Sequence, residues 1–341
     1  MQPERFHLTI ESVRRPTPSS VELVFAPPPA PLPYRAGQYL TFHVPVDGRM
    51  HPRSYSLVGS PGRADPLSIL VKRVRGGVVS NHLYAHAAPG SILAVSGPQG
   101  RFCVEPRAGG RHAVLVAGGS GITPIHAMMR ELLHGEPDTT VSLLDCNVAP
   151  EEILLRAELD RLIEESGGRL DVIHVLEQGA AGMGGLPGRL DAARATTLLG
   201  ELAQGKPAEF YVCGPEGLMA VVGEALRALS VSPERVFQEF FARPDASGDT
   251  QAQLVTLRLD GQEHSVPVPA GATILEAATA AGVSIETSCR VGDCGTCKLR
   301  CLAGEVEQSC VEGLSPDEEQ SGYVLACVAR PRTSGVVLAG P

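Results

Sequence analysis

Cys289-Arg-Val-Gly-Asp-Cys294-Gly-Thr-Cys297, followed after 29 further residues by Cys327, is the stretch that decides how this chain is read. Three thiols at spacings of four and two residues, with a fourth far along the chain, suit four thiolates around a two-iron, two-sulfide cluster. The residues between them are mostly small, as a loop needs when its backbone N–H groups must turn inward to sulfur. A structural zinc site is the competing reading, but such sites usually show two separated Cys pairs and only one CxxC occurs here. Scattered buried thiols are the blander alternative. The chain has nine cysteines, six of them in its last 53 residues. An odd, clustered set in a chain without a secretion-signal pattern fits a metal site better than a disulfide framework. Cys301 and Cys310 are surplus to four ligands and are not expected to bind.

Upstream of the cysteines, Val255–Leu259 and Glu263–Val268 alternate as a hairpin about Asp260-Gly261. Thr273-Ile-Leu-Glu276 is a capping box that opens a short helix to Ala281, stopped by Gly282. Residues 253–341 therefore read as a small α+β domain. Residues 244–252 (PDASGDTQA) have the composition of a linker. Residues 109–243 alternate strand and helix. Strands are expected at 113–116, 141–144, 170–175 and 210–212, and helices from a Thr123 N-cap with Pro124 at N1, over 151–165 and over 216–229. That alternation predicts an α/β domain with a doubly wound parallel sheet. Residues 1–108 show short β-rich runs, Tyr39–Val44 and Leu67–Val71, between Gly and Pro clusters, as in an antiparallel β-barrel. The stretch PPPAPLP (27–33) is expected at an edge or in a loop. The chain is thus multidomain, with boundaries near 108 and 248.

Its 341 residues are 43% hydrophobic and 20% charged, ample for packed cores. Trp is absent, aromatics make up 4%, and the net charge is −9, which argues against a nucleic-acid partner. Charge is unevenly shared: 12 basic and 6 acidic residues over 1–108, against 6 and 11 over 253–341. No apolar run approaches 18 residues, so no membrane span is expected, and the reading is a soluble, cytoplasmic protein.

Three motifs lie before the cysteines. Arg53-Ser54-Tyr55-Ser56 could give a flavin a cation for its phosphate, an aromatic against its ring and a hydrogen-bond partner near N5. Alone it is weak, since a surface Arg beside a core Tyr reads the same way. Lys72 and the glycine turn Gly76-Gly77-Val-Val-Ser80 add a phosphate-binding loop. Gly119-Ser-Gly121-Ile-Thr123-Pro124, between a strand and a helix, is placed to receive a pyrophosphate at a helix N-terminus. Tyr211-Val-Cys213-Gly214-Pro215 ends a strand where α/β sheets bind ligands, although Cys213 could equally be a small buried hydrophobe.

Taken together, in this order and over roughly residues 5 to 338, the motifs resemble ferredoxin–NADP reductase-type flavoproteins fused to a C-terminal plant-type [2Fe–2S] ferredoxin of β-grasp fold. The reductases of phenylacetyl-CoA epoxidase, of ketosteroid 9α-hydroxylase and, at greater distance, of phthalate dioxygenase share the pattern. The resemblance implies that Arg53, Tyr55 and Ser56 hold the flavin. Gly77 and Ser80 would hold its pyrophosphate, making FAD expected over FMN. Gly119, Gly121, Thr123 and Pro124 would hold the nicotinamide pyrophosphate. Cys213, Gly214, Pro215 and the Glu239-Phe240-Phe241 ending would flank the nicotinamide, with Phe241 over the flavin face and Ser56, Cys213 and Glu239 shaping the pocket. Relatives that prefer NADPH often carry Arg after Asn behind the second strand of this domain. Here the stretch is Asp145-Cys-Asn147-Val148, so Asp145 is expected to favour NADH, while Arg156 keeps NADPH open. The implied function is electron transfer from NADH through FAD and the cluster to a separate terminal oxygenase, of Rieske or di-iron type. A stand-alone reductase of a quinone or ferric chelate, or a redox sensor, are the alternatives.

Overall fold

The computed structural model describes residues 5–28, 30–61, 65–180, 184–241, 251–311 and 313–340. The described residues from Arg5 to Phe241 form one compact unit and those from 251 onward belong to a second. The linker predicted over 244–252 falls, up to residue 250, outside the described residues.

The first unit opens with six antiparallel strands: β1 (Arg5–Arg14), β2 (Ser20–Phe25), β3 (Tyr39–Val46), β4 (Arg49–Ser56), β5 (Ser68–Lys72) and β6 (Ile92–Gln99), with helix α1 (Val78–His86) between the last two. They lie in the order β4-β3-β6-β1-β2-β5. Just past β4, Leu57 bridges to Ile69 of β5, which draws the two ends of the sheet together into the expected barrel. Alternation fills the interior with Leu8, Ile10, Leu23, Phe25, Leu40 and Phe42, and the rings of Phe25 and Phe42 stack at 5.6 Å. The described part of 27–33 lies outside the strands, as its prolines require.

The second half of this unit is a parallel sheet of β7 (His112–Gly118), β8 (Thr140–Asn147), β9 (Leu170–Leu176), β10 (Leu186–Pro187), β11 (Ala208–Gly214) and β12 (Val236–Phe240), in the order β10-β9-β8-β7-β11-β12. Helices α2 (Ile122–Gly135) and α3 (Arg156–Glu165) cover one face and α4 (Ala192–Ala203) with α5 (Glu216–Ala228) the other. The chain leaves β7 in one direction and returns beside it as β11, so the switch point lies at the C-terminal ends of β7 and β11. Two expectations need correction. Thr123 is not the N-cap of α2: a 3₁₀ turn at Gly119–Gly121 runs straight into the helix, and the Thr123 hydroxyl donates to Ser120 O at 2.9 Å within the first turn. The helix predicted over 151–165 is a 3₁₀ turn at Pro150–Glu152 followed by α3, because the apolar run Ile153-Leu154-Leu155 dives into the core and Leu155 takes φ +56°. Val58, Leu70, Phe102 and Val104 from the first 108 residues pack into the core beneath α2, so barrel and parallel sheet share one apolar interior.

The second unit carries β13 (Gln253–Leu259), β14 (Gln262–Val268), helix α6 (Ile274–Ala280), β15 (Lys298–Ala303), β16 (Val306–Gln308), helix α7 (Pro316–Gln320), β17 (Tyr323–Leu325), β18 (Ala329–Pro331) and β19 (Val337–Ala339). The main sheet runs β14-β13-β19-β15-β17 and α6 packs on it through Ile274, Leu275 and Ala278, a β-grasp arrangement. Asp260 and Gly261 both take positive φ, as the predicted tight hairpin demands. The Thr273/Glu276 capping box forms in full. A second capping box, Ser315 with Glu318, opens α7 from the sequence Ser-Pro-Asp-Glu.

Candidate cofactor sites

In the first unit a cavity of about 310 Å³ opens beside β4 and α1. Its walls include Arg53, Ser54, Tyr55 and Ser56 from β4, Lys72 from the end of β5, Gly77 and Ser80 from the start of α1, Ser120 and Thr123 from the loop after β7, and Phe241 after β12. Segments far apart in sequence converge here because β4 and β5 are the joined ends of the barrel, while β7 and β12 end on the same side of the parallel sheet. Tyr55 packs edge-on against Phe42 at 5.8 Å, and burial pushes its phenol above the usual range. Ser54 Oγ lies 3.0 Å from Thr41 Oγ1, and Arg53 Nη1 donates to Pro52 O at 2.7 Å. At the start of α1 the backbone is drawn tight. Ser80 Oγ accepts from Val74 N–H at 3.2 Å, and a Cβ on Gly77 would lie 2.5 Å from that oxygen. Phe241, in the cavity wall, is 42% exposed. Gly76, Gly119, Gly121 and Pro124 adjoin the cavity through their neighbours without forming its wall.

The loop after β7 and the Cys213-Gly214-Pro215 turn interlock. A Cβ on Gly121 would land on the Cys213 carbonyl, and one on Gly118 would lie 2.8 Å from Pro215 Cδ. The α2 N-terminus therefore abuts the end of β11 because glycine stands there. Cys213 itself is fully buried behind this contact and does not reach the cavity wall. Burial, reinforced by the Glu239 carboxylate, raises its thiol pKa. Strand register places Glu239, Cys213, Ala117, Asp145 and His174 side by side across five strands near the C-terminal edge. Asp145 is 1% exposed; its Oδ2 accepts from Asn147 Nδ2 at 2.8 Å and stands 3.1 Å from His174 Nδ1. Its carboxylate is thus turned to Asn147 of its own strand and to His174 of β9 rather than to open solvent. Val148, one residue past Asn147, is exposed, and Arg156 sits on the surface 3.9 Å from Asp160.

In the second unit the cysteine loop presents its backbone to sulfur. The N–H groups of Val291 and Cys294 point to Cys289 Sγ at 3.5 and 3.4 Å, and that of Thr296 to Cys294 Sγ at 3.5 Å. The four thiols pair two and two, Cys289 with Cys294 and Cys297 with Cys327, and Cys327 feels the charge of all three others. The hydrogen bond from Cys289 brings Cys294 down to about 6. Among the described residues no three ligating side chains are gathered around a point for a lone ion. Gly292 (φ +89°) and Gly295 (φ +72°) let the loop curl, and a Cβ on Gly295 would lie 2.5 Å from Gly313 O. Three thiols on a loop lined with inward N–H donors, with Cys327 brought to them from just past β17, fit an iron–sulfur cluster, whose sulfurs accept such bonds. Cys310 backs onto this loop, its Sγ donating to Val291 O at 3.3 Å, whereas Cys301 turns to Ala303 O on β15.

Three family models match the chain: an oxidoreductase FAD-binding domain over 16–103, an oxidoreductase NAD-binding domain over 115–224 and a 2Fe-2S iron-sulfur cluster binding domain over 257–332. One component of the 1,2-phenylacetyl-CoA epoxidase of Escherichia coli K12 is 33% identical, with the match covering 98% of this chain and 97% of that component. The ferredoxin reductase component of the 3-ketosteroid-9-alpha-monooxygenase of Mycobacterium tuberculosis H37Rv is 34% identical, covering 91% and 86%. Among solved structures, phthalate dioxygenase reductase superposes with a TM-score of 0.64 at 27% identity, covering 98% of both chains. An intact self-sufficient cytochrome P450 monooxygenase shares the fold alone, with a TM-score of 0.72 at 24% identity, and this chain spans 41% of its length. Sequence, fold and matched domains agree, and the chain belongs to the family of FAD-, NAD- and [2Fe–2S]-containing reductase components of oxygenase systems.

Proposed function

We propose that this protein takes electrons from NADH and delivers them singly, through FAD and a [2Fe–2S] cluster, to a separate terminal oxygenase of Rieske or di-iron type in the cytoplasm. When bound, the flavin accepts a hydride and the cluster passes electrons on one at a time; the chain supplies position and tuning. The observation that carries the reading is one cavity walled both by the Arg53–Ser56 and Gly77–Ser80 motifs and by Ser120 and Thr123 of the nucleotide loop. Arg53 and the α1 start would hold flavin phosphates, Tyr55 would lie against the ring and Ser56 near N5. Gly119, Gly121, Thr123 and Pro124 would seat the nicotinamide pyrophosphate. Phe241 would cover the flavin face until nicotinamide displaces it. Cys213, Gly214, Pro215 and Glu239 would back the nicotinamide end from the strand termini. Cys289, Cys294, Cys297 and Cys327 would hold the irons. The domains would divide near 108 and 248.

NADH is favoured over NADPH because the loop after β8 offers exposed Val148 and the exposed acid Glu151 where a 2′-phosphate would need a cation. Asp145 would contribute by bracing that loop through Asn147 rather than by facing the ribose. Introducing the cation tests this: Val148→Arg should raise kcat/KM for NADPH roughly tenfold, the scale of one charged hydrogen bond, with NADH little changed. The function itself is tested by mixing purified protein with NADH and with the oxygenase encoded nearest to it. Flavin reduction followed by oxygenase-dependent NADH turnover is expected. Rapid reduction of a quinone or ferric chelate, unaffected by any oxygenase, would point to a stand-alone reductase instead.

A further inference from the structure

Lys72 stands in the cavity wall at the end of β5, with its ammonium 3.5 Å from where a Cβ on Gly119 would lie. It is within reach of any anion seated on the glycine loop. That ammonium already has a partner: Glu152 Oε2 lies 3.3 Å away, and the two side chains are only 24% and 18% exposed. Glu152 belongs to the opposite half of the unit, on the 3₁₀ turn Pro150–Glu152 that follows β8. The same oxygen accepts a hydrogen bond from Ser19 Oγ, in the turn before β2, and Ser19 O is fixed in turn by Arg73 N–H at 2.8 Å. One carboxylate oxygen therefore ties the loop after β8 to the barrel at two points. Ligands of a parallel sheet of this kind bind at the C-terminal strand ends, and the tie stands there beside the loop after β7. The neighbouring cation cannot substitute, since Arg73 is turned to Asn81 Oδ1 at 3.1 Å and to the Tyr84 ring at 4.7 Å.

We propose that Glu152 is a built-in competitor of the nucleotide for Lys72. It holds the ammonium while the site is free of nucleotide and yields it to the pyrophosphate on binding. Ser19 keeps the carboxylate from following the lysine. One ammonium then chooses between a fixed carboxylate and an incoming phosphate, and the resting pair lowers nucleotide affinity and speeds release of the oxidised product. This rests on the proposed reading of Gly119–Gly121 as the nucleotide-pyrophosphate loop.

The test is titration of the holoenzyme with NAD⁺, which binds without reducing the flavin, followed through the flavin absorbance. Glu152→Gln keeps an oxygen for Ser19 and removes only the charge, so the fold and the tie to Ser19 survive. Kd for NAD⁺ should fall about fivefold, the scale of a partly screened ion pair. Lys72→Met should raise Kd, and in that background Glu152→Gln should change it less than twofold. Unchanged or weaker binding in Glu152→Gln would overturn the proposal. So would the same fivefold gain persisting without Lys72, which would mean simple repulsion at a distance. If Lys72→Met and Gly121→Ala both leave NAD⁺ affinity at the wild-type value, the reading of the nucleotide loop itself fails, a result distinguishable from the other two.

Discussion

Gly121→Ala isolates what close packing of the α2 N-terminus does for the nucleotide site. Gly121 has φ −60°, so alanine meets no backbone strain there. The added Cβ, however, would collide with the Cys213 carbonyl oxygen and lie 2.5 Å from its carbon and 2.9 Å from Gly214 N, all of them main-chain atoms of β11. Contact at an ordinary distance, near 3.4 Å, requires helix and strand to part by about 1 Å. Overpacking of this kind costs about 1–3 kcal/mol. For a unit of this size that lowers Tm by roughly 2–4 °C per kcal/mol. The functional loss should be larger in proportion, because misplacement by about 1 Å costs on the order of 10²-fold in a step that depends on near-attack geometry. Gly119→Ala is the counterpart in the same loop. Gly119 has φ +53°, and its Cβ would make only an ordinary contact, with Lys72 Nζ at 3.5 Å. It should cost about 1–2 kcal/mol in backbone strain and leave the helix in place. Stopped-flow loss of flavin absorbance on anaerobic mixing with NADH reads both variants. Gly121→Ala should be slowed about a hundredfold and Gly119→Ala only a few-fold, with iron content unchanged in each. Equal rates in the two variants, or a wild-type rate in Gly121→Ala, would refute the packing argument.

Three further outcomes follow from particular residues. His126 on α2 is fully buried against Val58 O, 3.2 Å from its Nδ1, and burial lowers its pKa to about 4, so the unfolded chain binds the extra proton first. Its contribution is complete above about pH 6.5 and is lost as pH falls toward 4, up to about 3 kcal/mol; His126→Gln should flatten urea-unfolding stability over that window. Arg111 is buried between Glu136 and Glu209, donating to both, so Arg111→Met should destabilise the first unit by about 3–5 kcal/mol by leaving a buried carboxylate unpaired, measured as a lower denaturation midpoint. Cys297→Ser should abolish iron and sulfide content while NADH-driven reduction of ferricyanide persists, because the cavity lies wholly in the other unit.

Local chemistry was enough for much of this protein. The spacing of Cys289, Cys294, Cys297 and Cys327, the Asp260-Gly261 turn, the Thr273/Glu276 capping box and the strand–helix alternation over 109–243 each depend on residues a few positions apart, so their pattern is visible in one dimension. Their boundaries moved by a few residues where a buried run overrode periodicity, as Ile153–Leu155 did before α3. What the linear order could not carry was which side chains meet across strands. Asp145 reads as a solvent-facing acid until the register of β8 and β9 sets it against His174 and the sheet buries it. Cys213 reads equally as a pocket residue and as a small buried hydrophobe until the packed sheet encloses it completely. Lys72 and Glu152 lie 80 positions apart and nothing in either segment foretells their contact. Burial and pairing of charged groups are decided by closure of the barrel and stacking of the parallel strands, because only the assembled core determines which polar atoms lose water and must find one another.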